Sequence, residues 1–242
     1  MYIIVNAMIM LAELGLIAGV AWAGLQWPLI FAAITGLLAL GLGANLEYAR
    51  LKNEIPFYFD RPPGKSAYFA LAVGSLEAIV KALLAAVVGL LTFLGTDHER
   101  LFSVAIIFAV CLFLGVALVR WLTHRLKARP LRWGYFRLAA PLGLLYSAGL
   151  AFLPSPGFAE LAKRATFDMP AKPSLEQASE FLFLLKQTFD DIVERMLGWI
   201  FSPGLADAIA AVVSVNMLSG FVLSIYAVLI AEAVRRMEDA NV

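Results

Sequence analysis

Residues 67–95 read AYFALAVGSLEAIVKALLAAVVGLLTFLG, an apolar run whose only charged side chains are Glu77 and Lys81. A helix needs ~20 mostly apolar residues to cross a bilayer, and this segment exceeds that length. Five further stretches qualify, at about 3–24, 29–49, 101–121, 138–154 and 205–232. The expected fold is therefore all-α: a polytopic transmembrane bundle of about six spans in a single membrane domain, 1–242.

Composition points the same way. The 242 residues are 62% hydrophobic and 15% charged, with mean hydropathy +0.83. A soluble domain carries ~25% charged residues. Net charge is +1, and no basic arm remains once the spans are placed. Nucleic acid is not an expected partner.

The turn between the first two spans, Gly24-Leu25-Gln26-Trp27-Pro28, predicts a tight hairpin with Trp22 and Trp27 at the interface. Gly15 and Gly19 on the first helix, and Gly36 and Gly43 on the second, recur at spacings that let helix backbones approach closely in lipid. The expectation is that these faces pack the hairpin together; a dimerisation face is the other reading. Residues 50–66 hold Pro56, Pro62, Pro63 and Gly64, which exclude a long helix there. The span at 138–154 is short and contains Pro141. Prolines at 154, 156, 170 and 173 mark an irregular stretch.

One helix differs from the rest. Ser174 with Gln177 reads as a capping box. Leu175, Leu182, Leu185, Phe189, Ile192, Met196 and Ile200 then recur at helical spacing among Glu176, Lys186, Asp190, Asp191, Glu194 and Arg195. The segment 174–201 is expected to be amphipathic, on the outer membrane surface or against a partner.

Orientation follows from Lys and Arg placement. With both termini inside, twelve of the nineteen basic residues fall in inner segments and six in outer ones, with Lys81 in a span. The expected location is a prokaryotic inner membrane with both termini cytoplasmic. The first Lys or Arg is Arg50, so no signal peptide is expected. The basic loop with Arg125, Lys127, Arg129 and Arg132 suits anionic lipid or a cytoplasmic partner.

Ionisable groups at membrane depth are costly and draw attention. Glu77 and Lys81 stand four apart, in the order that favours an intrahelical ion pair. Glu13 lies inside the first span, where Lys81 or a cation of another subunit is its expected partner. Asp207 sits in the first turns of the last span, an end-of-helix position. Deeper in that span, Asn216, Ser219, Ser224 and Tyr226 are expected to hydrogen-bond between helices.

No catalytic motif emerges: no HExxH, GxSxG, P-loop or GxGxxG. His98 and His124 fall in predicted loops, so no haem and no histidine base is expected within a span. Cys111 stands alone, which excludes a disulfide or multi-cysteine metal site. The expectation is a chain without cofactor or metal, not an enzyme. Its expected role is a non-catalytic subunit, scaffold or anchor in a larger membrane assembly or homo-oligomer. The alternative is a small transporter or ion or proton channel subunit using Glu77, Lys81 and Glu13.

Overall fold

The computed structural model describes residues 2–58, 66–94, 96, 100–133, 136–153, 174–212 and 214–240. It is all-helical, with no strand among the described residues. The elements are α1 (Tyr2–Gln26), α2 (Pro28–Tyr58), α3 (Ser66–Phe93), α4 (Leu101–Leu126), α5 (Pro130–Trp133), α6 (Phe136–Ala151), α7 (Leu175–Gly198), α8 (Pro203–Val212), a 3-10 turn (Val215–Leu218) and α9 (Ser219–Asp239). Among the described residues five segments are long and apolar enough to cross a membrane: Ile4–Gln26, Pro28–Glu54, Leu71–Phe93, Leu101–Leu126 and Val215–Asp239. Leu11, Leu37, Leu83 and Phe102 are each more than 60% exposed, an apolar exterior that only lipid or another membrane chain would cover.

The helices alternate in direction, which gives the bundle two ends. A basic end gathers the ends of α2, α4 and α9 with Arg125, Lys127, Arg129, Arg235 and Arg236. The opposite end holds the α1–α2 turn, where Trp22 and Trp27 meet edge-to-face at 4.9 Å.

The core forms where five helices converge. Phe31 of α2 stacks on Tyr226 of α9 at 5.4 Å and meets Phe93 of α3 edge-on at 5.2 Å. Phe93 and Phe108 of α4 lie 5.2 Å apart. Phe108 in turn meets Tyr146 of α6 at 6.1 Å. Offset and edge-to-face pairs of this kind contribute ~0.5–1.5 kcal/mol each beyond burial.

Several expectations need correction. The α1–α2 hairpin is not the tight unit: α2 packs chiefly on α3, and α1 chiefly on α4. Gly36 faces α3, where a Cβ would stand 3.0 Å from Ala86 Cβ and 3.3 Å from the Ala82 carbonyl. Gly43 is buried. Gly15 and Gly19 have nothing within 4 Å of an added Cβ, so they pack no hairpin. The reason is α1's narrow buried stripe of Ile9, Glu13, Ile17 and Ala21, which turns both glycines outward.

α2 also runs past residue 49, through Pro56 to Tyr58. Pro56 stands in its last turn, so the N–H it lacks removes one bond of the ladder just before the helix stops. Arg50 bridges Glu47 at 3.0 Å and Glu54 at 3.4 Å along the same helix, which sustains the extension. α4 likewise continues to Leu126. His124 and Arg125 therefore occupy its last turn rather than a loop, and Lys127 caps it in the left-handed conformation, φ 51°. Arg129 is an exposed linker residue, whereas Arg132 belongs to α5.

The largest difference concerns the last span. The helix expected at 205–232 is broken: α8 stops at Val212, a 3-10 turn follows, and α9 restarts at Ser219. Ser214 supplies the local cap, its hydroxyl accepting the Asn216 N–H at 3.1 Å. Two glycines place the break against α6. A Cβ on Gly143 would stand 2.0 Å from the Met217 carbonyl oxygen. One on Gly220 would stand 2.0 Å from the Ala139 carbonyl oxygen. Only glycine permits backbones this close. α6 itself is 16 residues long, or ~24 Å at 1.5 Å per residue, and is shorter than the five long apolar segments. The stretch expected to be irregular between 154 and 173 lies outside the described residues, as does His98.

Candidate functional site

The charges expected at membrane depth are closed into ion pairs. Glu13 meets neither Lys81 nor an outside cation. Arg120 of α4 donates to it at 2.5 Å and to Glu238 of α9 at 2.6 Å, so one guanidinium joins α1, α4 and α9. Glu77 and Lys81 do approach each other, at 3.5 Å, but each has a nearer partner on α2. Lys81 donates to Glu47, and Arg50 donates to Glu77 at 2.9 Å. Lys81 also lies 4.4 Å above the Phe136 ring. The pair is thus one edge of a network that fastens α2 to α3. Sequence spacing could reveal only the four-residue edge.

The polar residues of the last span divide. Ser219 Oγ and Thr92 Oγ1 of α3 share a hydrogen bond at 2.8 Å, and Tyr226 OH shares one with Thr35 Oγ1 of α2 at 3.0 Å. Both are the inter-helix contacts expected. Ser224 is not: it is buried and donates to the Phe221 carbonyl of its own helix at 2.9 Å. Asn216 lies in the 3-10 turn and faces a cavity. The Asp207 side chain lies outside the described residues.

That cavity, about 460 Å³, is the candidate site. It opens at the end opposite the basic one, between α7, α6, the start of α4 and the break. Its wall carries Arg100, Lys186, Gln187, Asp190, Asp191, Glu194, Ser147, Ser214 and Asn216. Ser147 Oγ and Ser214 Oγ are hydrogen-bonded at 2.8 Å across it. Sequence reading assigned none of the charged members a role. The available signal was Ser214 and Asn216 inside an apolar run, the residue types that cap a restarted helix.

α7 builds the charged wall. Its capping box forms as expected, with Gln177 N–H donating to Ser174 Oγ at 3.3 Å and Ser174 N–H to Gln177 Oε1 at 3.0 Å. Ser179 then donates to the Leu94 carbonyl at the end of α3. Leu185, Phe189, Ile192 and Met196 are each at least half exposed, whereas Lys186 is 9% exposed. Ser179 and Lys186 face the protein while these apolar side chains face out, as suits a helix with lipid behind it.

Within the wall, Asp190 accepts the Val215 N–H at 2.7 Å, tying α7 to the break. Lys186 donates to the Leu91 carbonyl at 3.3 Å. Burial pulls its ammonium down to about 8, against an upward pull from the Asp190 charge. Burial raises the Asp190 carboxyl, opposed by the Val215 hydrogen bond and by Lys186, with Asp191 adding to the rise. Among the described residues no three His, Cys, Asp or Glu side chains gather as a metal site.

No protein-family model, no curated protein and no solved structure matches this chain.

Proposed function

We propose that the chain is a non-catalytic, multi-pass membrane component that receives a small polar solute in this cavity, as a transporter or as the solute-binding subunit of a larger assembly. The observation that carries the reading is a charged cavity of about 460 Å³ placed where α8 stops and the last apolar span, Val215–Asp239, begins. Broken helices at the edge of a cavity recur in transporters, because unwound backbone is tolerated where it lines a water-filled space. The transport role attached to Glu13, Glu77 and Lys81 moves to the cavity, since those three serve inter-helix ion pairs.

The positive-inside rule assigns the basic end to the cytoplasm, with both termini there and anionic lipid against Arg125, Lys127, Arg129 and Arg132. The cavity then opens on the outer face of a prokaryotic inner membrane. Assembly with other subunits or with a second copy is supported by the thin packing of α1, whose Gly15 and Gly19 face is uncovered.

The test is water access. In a Cys111→Ala background, Asn216→Cys in intact cells is expected to react with a membrane-impermeant maleimide added outside. Ser224→Cys, in the buried core, is expected to resist. An Asn216→Cys variant as inert as Ser224→Cys overturns the reading.

A further inference from the structure

We propose that the cavity binds a small zwitterion, its carboxylate or phosphate held by the Lys186 ammonium and its cationic group facing Asp191 and Glu194. The proposal rests on the solute-cavity reading and gives it a ligand class.

Lys186 is the first reason. A buried cation is normally paired with a carboxylate, yet none of the described carboxylates lies within 4.0 Å of this one. Its hydrogen bond is to the Leu91 carbonyl at 3.3 Å, a neutral acceptor at long range. Asp190, one turn along, is engaged by the Val215 N–H. An ammonium kept in a wall with no described carboxylate in contact, Asp190 acting on it only from a distance, is arranged to take a counter-charge from a ligand. The adjacent Gln187 has a buried Oε1 with no hydrogen-bond partner among the described residues, a second polar atom with capacity to spare at the same place.

Charge balance is the second reason. Among the described residues the lining holds two basic groups, Arg100 and Lys186, and three acidic ones, Asp190, Asp191 and Glu194. A simple anion meets three carboxylates, and a simple cation meets two basic groups. A molecule carrying both signs is favoured by both sets. Spacing agrees: Asp191 and Glu194 lie five and eight residues beyond Lys186, or ~7.5 and ~12 Å along the helix. Two long side chains can close on opposite charges a few ångströms apart. The volume fits a small polar molecule, at the lower end of the ~300–1,000 Å³ range of ligand pockets.

A free solute and a lipid head group share this chemistry, and the experiment separates them. The full chain is purified into nanodiscs of phosphatidylglycerol and, separately, of phosphatidylethanolamine. Its thermal midpoint is followed against glycine betaine, L-alanine and O-phosphoethanolamine, with inorganic phosphate and ethanolamine as single-charge probes. At least one zwitterion is expected to raise the midpoint saturably, with at least tenfold tighter binding than either single-charge probe. A free-solute site responds in both nanodiscs. A head-group site melts higher in phosphatidylethanolamine and ignores the soluble probes there.

Lys186→Met is expected to abolish the response while melting no lower than the parent, since it removes an unneutralised buried charge. Should that variant not fold, the pair Asp191→Asn and Glu194→Gln is expected to erase the preference for zwitterion over phosphate. The proposal is overturned if no zwitterion and no head group shifts the midpoint, if phosphate alone binds as tightly, or if Lys186→Met responds like the parent. Maleimide access at position 216 combined with failure of every zwitterion rejects the ligand class and leaves the cavity reading standing.

Discussion

Lys186 and Asp190 stand one helical turn apart on α7, the spacing of an ion pair, and each bonds elsewhere: Lys186 to the Leu91 carbonyl at 3.3 Å, Asp190 to the Val215 N–H at 2.7 Å. The two bonds hold α7 to the end of α3 and to the break before α9. The cavity lies between these attachments. A charged side chain thereby acts as a strut on one flank and as an available charge on the other.

The break depends on backbone contact between α6 and α9. Gly220→Ala or Gly143→Ala drives a Cβ to about 2.0 Å from a carbonyl oxygen, and each is expected to cost about 3 kcal/mol or more, the upper end for overpacked sites. Gly15→Ala and Gly19→Ala meet open space and are expected to stabilise by up to ~1 kcal/mol through helix propensity. Thermal midpoints of the four purified variants check this; similar losses at all four sites contradict it.

Arg120 joins three helices through one side chain. Arg120→Met leaves the Glu13 carboxylate, 4% exposed, without a counter-charge, and is expected to cost ~3 kcal/mol. Glu238 is more open, and Glu238→Gln is expected to cost less than ~1 kcal/mol. In a Glu13→Gln, Arg120→Gln cycle the double variant is expected to be less damaged than the sum of the singles. An additive cycle means the clasp carries no coupling.

In the α2–α3 network, Glu47 is 2% exposed and serves both Lys81 and Arg50. Glu77 is a third exposed, and it retains Arg50 when Lys81 is replaced. The Glu47/Lys81 cycle is therefore expected to show a coupling of ~1–3 kcal/mol. The Glu77/Lys81 cycle is expected to stay near ~0.5 kcal/mol. Equal couplings would contradict the placing of Glu47 as the main partner of Lys81.

Features set by local pattern were legible in the chain. The apolar runs, the Ser174–Gln177 capping box and the charged register of α7 each depend on residues within a few turns of one another. Glu13 and Arg120 are 107 positions apart, and Lys81 and Glu47 are 34 apart. No spacing rule joins such pairs, because helix order in the bundle decides them. Gly15 and Gly19 carry the same small-residue signal as Gly36, and only packing tells an outward stripe from an inward one. The break hides inside an apolar run, betrayed by Ser214 and Asn216 alone. The exposed Leu185, Phe189, Ile192 and Met196 of α7 fit an amphipathic helix lying against a membrane surface or a partner.

The cavity account stands most directly on Lys186. Its ammonium is held down to about 8 by burial, so the folded form binds its proton less tightly than the unfolded chain. The protein is then expected to gain stability as pH rises from about 8 toward ~10.4, the ordinary lysine value. Over the same range the grip on an anionic group is lost. The decisive measurement is the pH profile of Lys186 acetylation by a dilute water-soluble anhydride, read by peptide mass spectrometry with exposed Lys52 and Lys127 as internal standards. The account predicts modification half-maximal near pH 8 at Lys186 and protection by a bound zwitterion. A Lys186 whose modification is half-maximal only near ~10.4, the ordinary lysine value, or that stays unmodified across the range, contradicts it.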